Sequence, residues 1–203
     1  VTTTNNAGLQ TTKTGSNKTG ETAITFNPIT QVPTNTTYAQ SKTVTINYTA
    51  TNVTNPTYYV KTTVATTSTM NGYSCGIEIE PGTCSTTATK NYAANTWYKV
   101  TGNLSITFKE NGEIIARIND GESYSSAETL VITKIDATAP VLTLGSATTT
   151  TKSIMIPITV NKDDESGIKS TTCVYGTSTS YGSTGTVSNN KCTISNIKNN
   201  TTY

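Results

Sequence analysis

Histidine does not occur in this sequence, arginine occurs once, at Arg117, and tryptophan once, at Trp97. Without an imidazole, Ser-His and Cys-His nucleophilic pairs are excluded. The 14 basic and 12 acidic residues are scattered, so no basic stripe exists to follow a phosphate backbone and nucleic acid is not an expected partner. Apolar runs such as 154–160 fall far short of the roughly 20 residues a membrane span needs, so no span is expected in this segment. No charged-then-apolar leader follows Val1, and an export signal or anchor is expected outside the segment. Leucine is scarce, and no window of about 11 residues keeps the 3.6-residue apolar period of a helix. No Gly-rich phosphate loop stands ahead of a helix either.

What is abundant points to strands. Threonine makes up roughly a quarter of the chain, and Thr, Val, Ile and Tyr favour pleated, half-buried surfaces. Hydrophobic residues at 33% and charged residues at 13% fit neither a disordered polyelectrolyte nor an average cytosolic enzyme. The expected fold is all-β: two tandem β-sandwiches, the second incomplete at its C-terminus. Residues 1–20 are Thr, Asn, Gly and Lys and read as a leader or linker with little to bury.

Residues 21–136 form the first expected sandwich. Val44, Ile46 and Tyr48 alternate with polar neighbours, and 58–64 supplies a further strand. From 65 to 95 the pattern loosens into an insertion holding Asn71-Gly72, the alternation Ile77-Glu78-Ile79-Glu80, a Pro81-Gly82 turn and two cysteines, where a small disulfide-pinned hairpin is expected. Leu104, Ile106 and Phe108, then Ile114, Ala116 and Ile118, give two clean inward faces around Asn111-Gly112, and 130–135 closes the domain. Residues 137–203 form the second, with Ile154, Ile156, Ile158 and Val160 on one face. Pro157 cannot donate to a ladder, so the first strand of this domain is expected to pair with the second on one side of Pro157 only. A loop rich in Gly, Ser and Thr is expected over 176–189.

The two cysteines in each half, Cys75 with Cys84 and Cys173 with Cys192, are most economically paired locally, although three connectivities are open. Disulfides imply an oxidising, extracellular compartment, and closing loops of about 10 to 20 residues stabilises by roughly 3 kcal/mol in the chain-entropy model. Four buried free thiols are the rival reading. A zinc site is disfavoured by the wide spacing and the missing histidine.

The joint Ile135-Asp136-Ala137-Thr138-Ala139-Pro140 resembles the I-D-x-T-A-P connector between immunoglobulin-like repeats of Gram-positive surface proteins. Asp164-Glu165-Ser166-Gly167-Ile168 resembles the acidic S-G-I turn of those repeats. The segment Ile197-Lys198-Asn199-Asn200-Thr201-Thr202-Tyr203 resembles the fibronectin type III corner, with Asn199 where that pattern has proline. The resemblance implies immunoglobulin-like sandwiches, the second lacking its last two strands. It implies a non-catalytic extracellular stalk or adhesion module at the cell surface, acting as a rigid spacer or interaction surface. Its partners would be neighbouring repeats, other copies of the chain, or a surface glycan or protein.

Two alternatives carry site residues. Trp97 and Tyr98 could present an aromatic platform for a sugar, making a carbohydrate-binding module. A filament subunit completed by strands from neighbouring chains is the other. Asp136, Asp163, Asp164 and Glu165 could converge at the joint on a hard cation such as Ca²⁺. Glu78 and Glu80 share a strand face, where a solvated pair is the plain explanation. The Asn-x-Thr/Ser triplets at Asn17, Asn35, Asn47, Asn52, Asn103 and Asn200 follow from composition.

Overall fold

The computed structural model describes residues 2–4, 10–12, 24–26, 29–51, 53–78, 83–121, 124–125, 127–161, 165–178 and 181–203. These residues form strands and turns and no helix, so the chain is all-β. The strands are β1 (Thr2–Thr4), β2 (Gln10–Thr12), β3 (Ile24–Phe26), β4 (Thr30–Val32), β5 (Lys42–Ile46), β6 (Tyr48–Ala50) and β7 (Thr57–Thr62). There follow β8 (Thr66–Gly76), β9 (Ala88–Tyr92), β10 (Trp97–Val100), β11 (Leu104–Phe108), β12 (Gly112–Asn119) and β13 (Glu128–Ile132). The last are β14 (Val141–Leu144), β15 (Thr148–Thr149), β16 (Ser153–Asn161), β17 (Cys173–Tyr175), β18 (Ser183–Ser188) and β19 (Lys191–Ser195).

Two curled sheets dominate, an arrangement compatible with β-sandwich architecture. A nine-stranded sheet runs β13-β12-β7-β10-β8-β11-β5-β4, with β9 also paired to β8. A six-stranded sheet runs β14-β16-β19-β18-β17, with β15 also on β16. Two further pairs, β1-β2 and β3-β6, stand apart. By backbone contacts the chain clusters into one unit of residues 1–31, 44–106 and 113–131 and another of 32–43, 107–112 and 132–203.

The first unit owes its core to strict period-2 patterning. Val44 and Ile46 on β5, Ile106 on β11, and Ile114, Ala116 and Ile118 on β12 are wholly buried, while Thr45, Ser105, Ile115 and Arg117 between them face the other way. Each such aliphatic side chain contributes about 1.5–3 kcal/mol by leaving water. The run through Val44, Ile46 and Tyr48 is cut at Asn47: β5 belongs to the large sheet and β6 pairs with β3. The Asn103 carboxamide accepts from the Tyr48 N–H at 2.8 Å just beyond the cut, and the Tyr48 hydroxyl donates to the Tyr59 carbonyl.

Two expectations need correction. The loose stretch 65–95, expected as an insertion, contains β8, the longest of the described strands, and Asn71-Gly72 lies within it. Gly72 lies at a register irregularity between β8 and β9. A Cβ there would come within 2.7 Å of the Tyr92 hydroxyl, so the glycine makes room for a buried ring whose phenol donates to the Met70 carbonyl. Residues 183–188, expected as loop, form β18. Asn189 and Asn190, both at positive φ, make the two-residue turn that folds β18 onto β19 with Ser188 opposite Lys191. At Pro157 the first strand of the domain pairs on one side only, as expected: β14 matches residues 158–161, and a separate short strand, β15, matches 154–155 on the other side. Between them Gly145 donates its N–H to the Pro157 carbonyl, and its missing Cβ leaves room for the proline ring, 3.0 Å away.

In the six-stranded sheet, register places Leu142, Leu144, Ile154, Ile156, Ile158, Cys192, Ile194 and Cys173 on one face. Its buried cluster is Ile158, Cys173, Cys192 and Ile194.

Candidate functional site

Both local disulfides are formed, Cys75–Cys84 and Cys173–Cys192, and no described cysteine is free. Cys173–Cys192 ties β17 to β19 within the core of the small sheet. Cys75–Cys84 lies instead on the outer face of the large sheet, where Tyr59, Cys75 and Trp97 form a second buried cluster flanked by Cys84, Ile115 and Tyr124.

Trp97 and Tyr98 form no common platform, because neighbours on a strand point to opposite faces. Trp97 is only 5% exposed and packs in the outer cluster, with the Lys61 ammonium 5.0 Å and the Arg117 guanidinium 5.8 Å from its ring centroid. Tyr98 is 4% exposed, stacks on Tyr92 at 4.2 Å, and its hydroxyl accepts the Ala93 N–H at 2.9 Å. Neither ring offers a face to a sugar. Beside the outer cluster, burial first, then Tyr59, pushes the Tyr124 phenol up to about 12. On the inner side burial raises Tyr92, and raises Tyr48 further, with Tyr92 adding to it.

The joint belongs wholly to the second unit. Ala39 bridges Ile135 in parallel, accepting the Asp136 N–H at 2.9 Å and donating to the Lys134 carbonyl at 3.1 Å. Asp136 is itself buried. Its two carboxylate oxygens accept the Thr138 N–H at 3.0 Å and the Ser166 N–H at 3.1 Å, fixing the start of the connector to the S-G-I turn. Beside it lies a groove of about 440 Å³ lined by Tyr38, Gln40, Pro140 and Ile168 among others. Of the expected cation ligands, Asp136 has both oxygens on backbone donors, Glu165 is exposed, and Asp163 and Asp164 lie outside the described residues. Among the described residues no three carboxylate, cysteine or histidine groups converge. Glu78 is exposed and Glu80 is outside the described residues.

Lys42 is the residue that sequence reasoning missed. It is wholly buried, and its ammonium donates to the Thr34 carbonyl at 2.8 Å, to the Thr133 carbonyl, and to the Asn35 carboxamide at 3.5 Å. Asn35 also accepts the Thr133 N–H at 2.9 Å, so 34–39 and 133–136 are laced together by one cation and a short ladder. Desolvation, then the charge of Lys134, lowers the Lys42 pKa below that of a free lysine. Nothing in the local sequence marks it, since it opens β5 as any exposed lysine would. No helix of the described residues is long and apolar enough to cross a membrane. Compared with known proteins, the chain matches no family model, no curated protein and no solved structure.

Proposed function

We propose that this chain is a non-catalytic, extracellular stalk or adhesion module of a bacterial surface protein, with immunoglobulin-like sandwiches in tandem as a rigid spacer. The observation that carries the reading is the laced joint. A tether needs free backbone, whereas here Asp136 spends both carboxylate oxygens on backbone donors and buried Lys42 binds the Thr133 carbonyl 91 residues further along the chain. Two disulfides support an oxidising, extracellular setting. The residue inventory, with no histidine, supports a non-catalytic role.

Single-molecule pulling tests this. With bridges closed, the spans of 9 and 19 residues they enclose stay hidden from force, and reductant lengthens the unfolded chain by about 100 Å at about 3.5 Å per residue. Discrete unfolding peaks are expected, weaker in Asp136→Ala. A featureless low-force extension would sink the spacer reading.

One observation favours a second reading, the filament subunit. Strand β14 lies at the sheet edge, and Val141, Leu142 and Leu144 are 58%, 54% and 61% exposed, the kind of apolar edge that strand addition covers. Concentration-dependent polymers lost on Leu142→Lys would favour it. A monomer at every concentration would remove it.

A further inference from the structure

The outer face of the nine-stranded sheet carries one row of side chains in register. Arg117 on β12 stands opposite Tyr59 on β7, Tyr59 opposite Lys99 on β10, and Lys99 opposite Tyr73 on β8. Directly opposite residues share a face, so the row alternates cation, phenol, cation, phenol. Lys99 is half-buried and makes no hydrogen bond or ion pair among the described residues. A cavity of about 220 Å³ opens around it, lined by Tyr59, Tyr73, Cys84 and Ser85.

The far wall of this cavity is fixed covalently. Cys84 is bonded to Cys75 on β8, and the Ser85 N–H donates to the Ser74 carbonyl at 2.7 Å, holding both residues over the sheet. The disulfide is thus part of the slot as well as of the fold.

We propose that the slot binds a single carboxylate-bearing sugar unit of the hexuronate class. Lys99 is the counter-charge, the half-buried Tyr73 is the wall, and Tyr59, 4% exposed, closes the floor. One lining cation matches a monoanion. Arg117 lies beyond Tyr59, against Trp97, and adds attraction without lining the cavity. Lys99 rises between the two tyrosines, so a carboxylate held over its ammonium brings the attached ring against Tyr73, a surface that a pyranose covers and a narrow aliphatic carboxylate does not. Partial burial strengthens a charge-assisted hydrogen bond relative to one in open water. This site is independent of the spacer reading and stands or falls separately from it.

The experiment is an amide chemical-shift titration of the whole chain at low ionic strength with glucuronate, glucose and N-acetylglutamate amide. Glucuronate is expected to give saturable shifts at Tyr59, Tyr73, Ser85 and Lys99, with glucose and the glutamate derivative each at least about tenfold weaker. Lys99→Met is expected to weaken glucuronate by at least about tenfold and leave glucose unchanged, since a hydrogen bond to a charged group is lost. Tyr73→Leu, which keeps the charge, is expected to weaken glucuronate and bring the glutamate derivative level with it. Dispersed spectra of both variants certify folding. Unaltered glucuronate binding in Lys99→Met, equal binding of glucose, or no saturable shift at tens of millimolar overturns the proposal. Glutamate-derivative binding as tight as glucuronate would make the slot a receptor for acidic peptide side chains and overturn it as well.

Discussion

The two large sheets use the same alternating vocabulary with different results. In the nine-stranded sheet the inward positions of β5, β11 and β12 lose all contact with water. In the six-stranded sheet only Ile158, Cys173, Cys192 and Ile194 are buried, and β14 leaves all four of its residues exposed. Alternation only sorts side chains onto a face, whereas burial requires something to lie over that face. Where little does, a covalent bond stands in for apolar area, since two of the four buried residues are the halves of one disulfide.

The sharpest test of that contrast is truncation. Ile106→Ala or Ile114→Ala is expected to cost about 2–5 kcal/mol in urea unfolding, as large-to-small changes in full cores do. Leu144→Ala should stay within about 0.5 kcal/mol, as at an exposed site. Equal costs would erase the difference between the sheets. Next comes cross-link removal. Cys173→Ala with Cys192→Ala should cost about 3 kcal/mol and abolish the cooperative transition of the small sheet. The matching change at Cys75 and Cys84 should leave the inner core of the large sheet folding cooperatively. Calorimetry with the transitions resolved reads both.

A smaller effect is expected at the joint. Asp136→Ala removes the acceptor of two backbone donors and should cost about 2 kcal/mol, with faster amide exchange at Ser166 and Thr138. Alkaline titration separates the units most finely. Tyr48, Tyr92 and Tyr124 have folded-state pKa values above the unfolded value of about 10, so the stability they confer is intact below pH 10. It is lost as the pH climbs through the folded values, about 12 for Tyr124. Lys42 has the opposite sign. Its folded pKa lies below the ordinary lysine value of 10.5, so the second unit should gain stability as the pH rises from that lowered value towards 10.5. Followed residue by residue, ionisation of Tyr48, Tyr92 and Tyr124 should therefore appear only above pH 10 and together with loss of the fold around them. Ionisation of these three near 10 with both sheets intact would contradict the assigned burial.

Much of the inner face of the large sheet was legible because β-branched residues at every second position admit one reading, as at Ile114, Ala116 and Ile118. The course of β8 was not. Its residues are mostly Thr, Ser, Asn and Gly, with Met70, Tyr73 and Cys75 out of any regular alternation, and its length comes from partners on β10, β11 and β9 rather than from its own pattern. Strand β18 was hidden for a related reason. Only Val187 is apolar, and the strand exists because the Asn189-Asn190 turn delivers it to β19. At the joint the sequence marked Asp136 but not Lys42, whose role depends on carbonyls brought from Thr34 and Thr133. The slot around Lys99 was invisible because its residues come from strands and a loop that share no local motif.

The notch that Pro157 imposes on its neighbour has a consequence for how these molecules meet. Because the outermost strand is interrupted at residues 145–147, its ladder offers four residues on one side of the gap and two on the other. A foreign strand arriving there finds no continuous rail, and can grip only a short stub before it must buckle. A sticky border broken into stubs tolerates brief docking while discouraging runaway fibre growth.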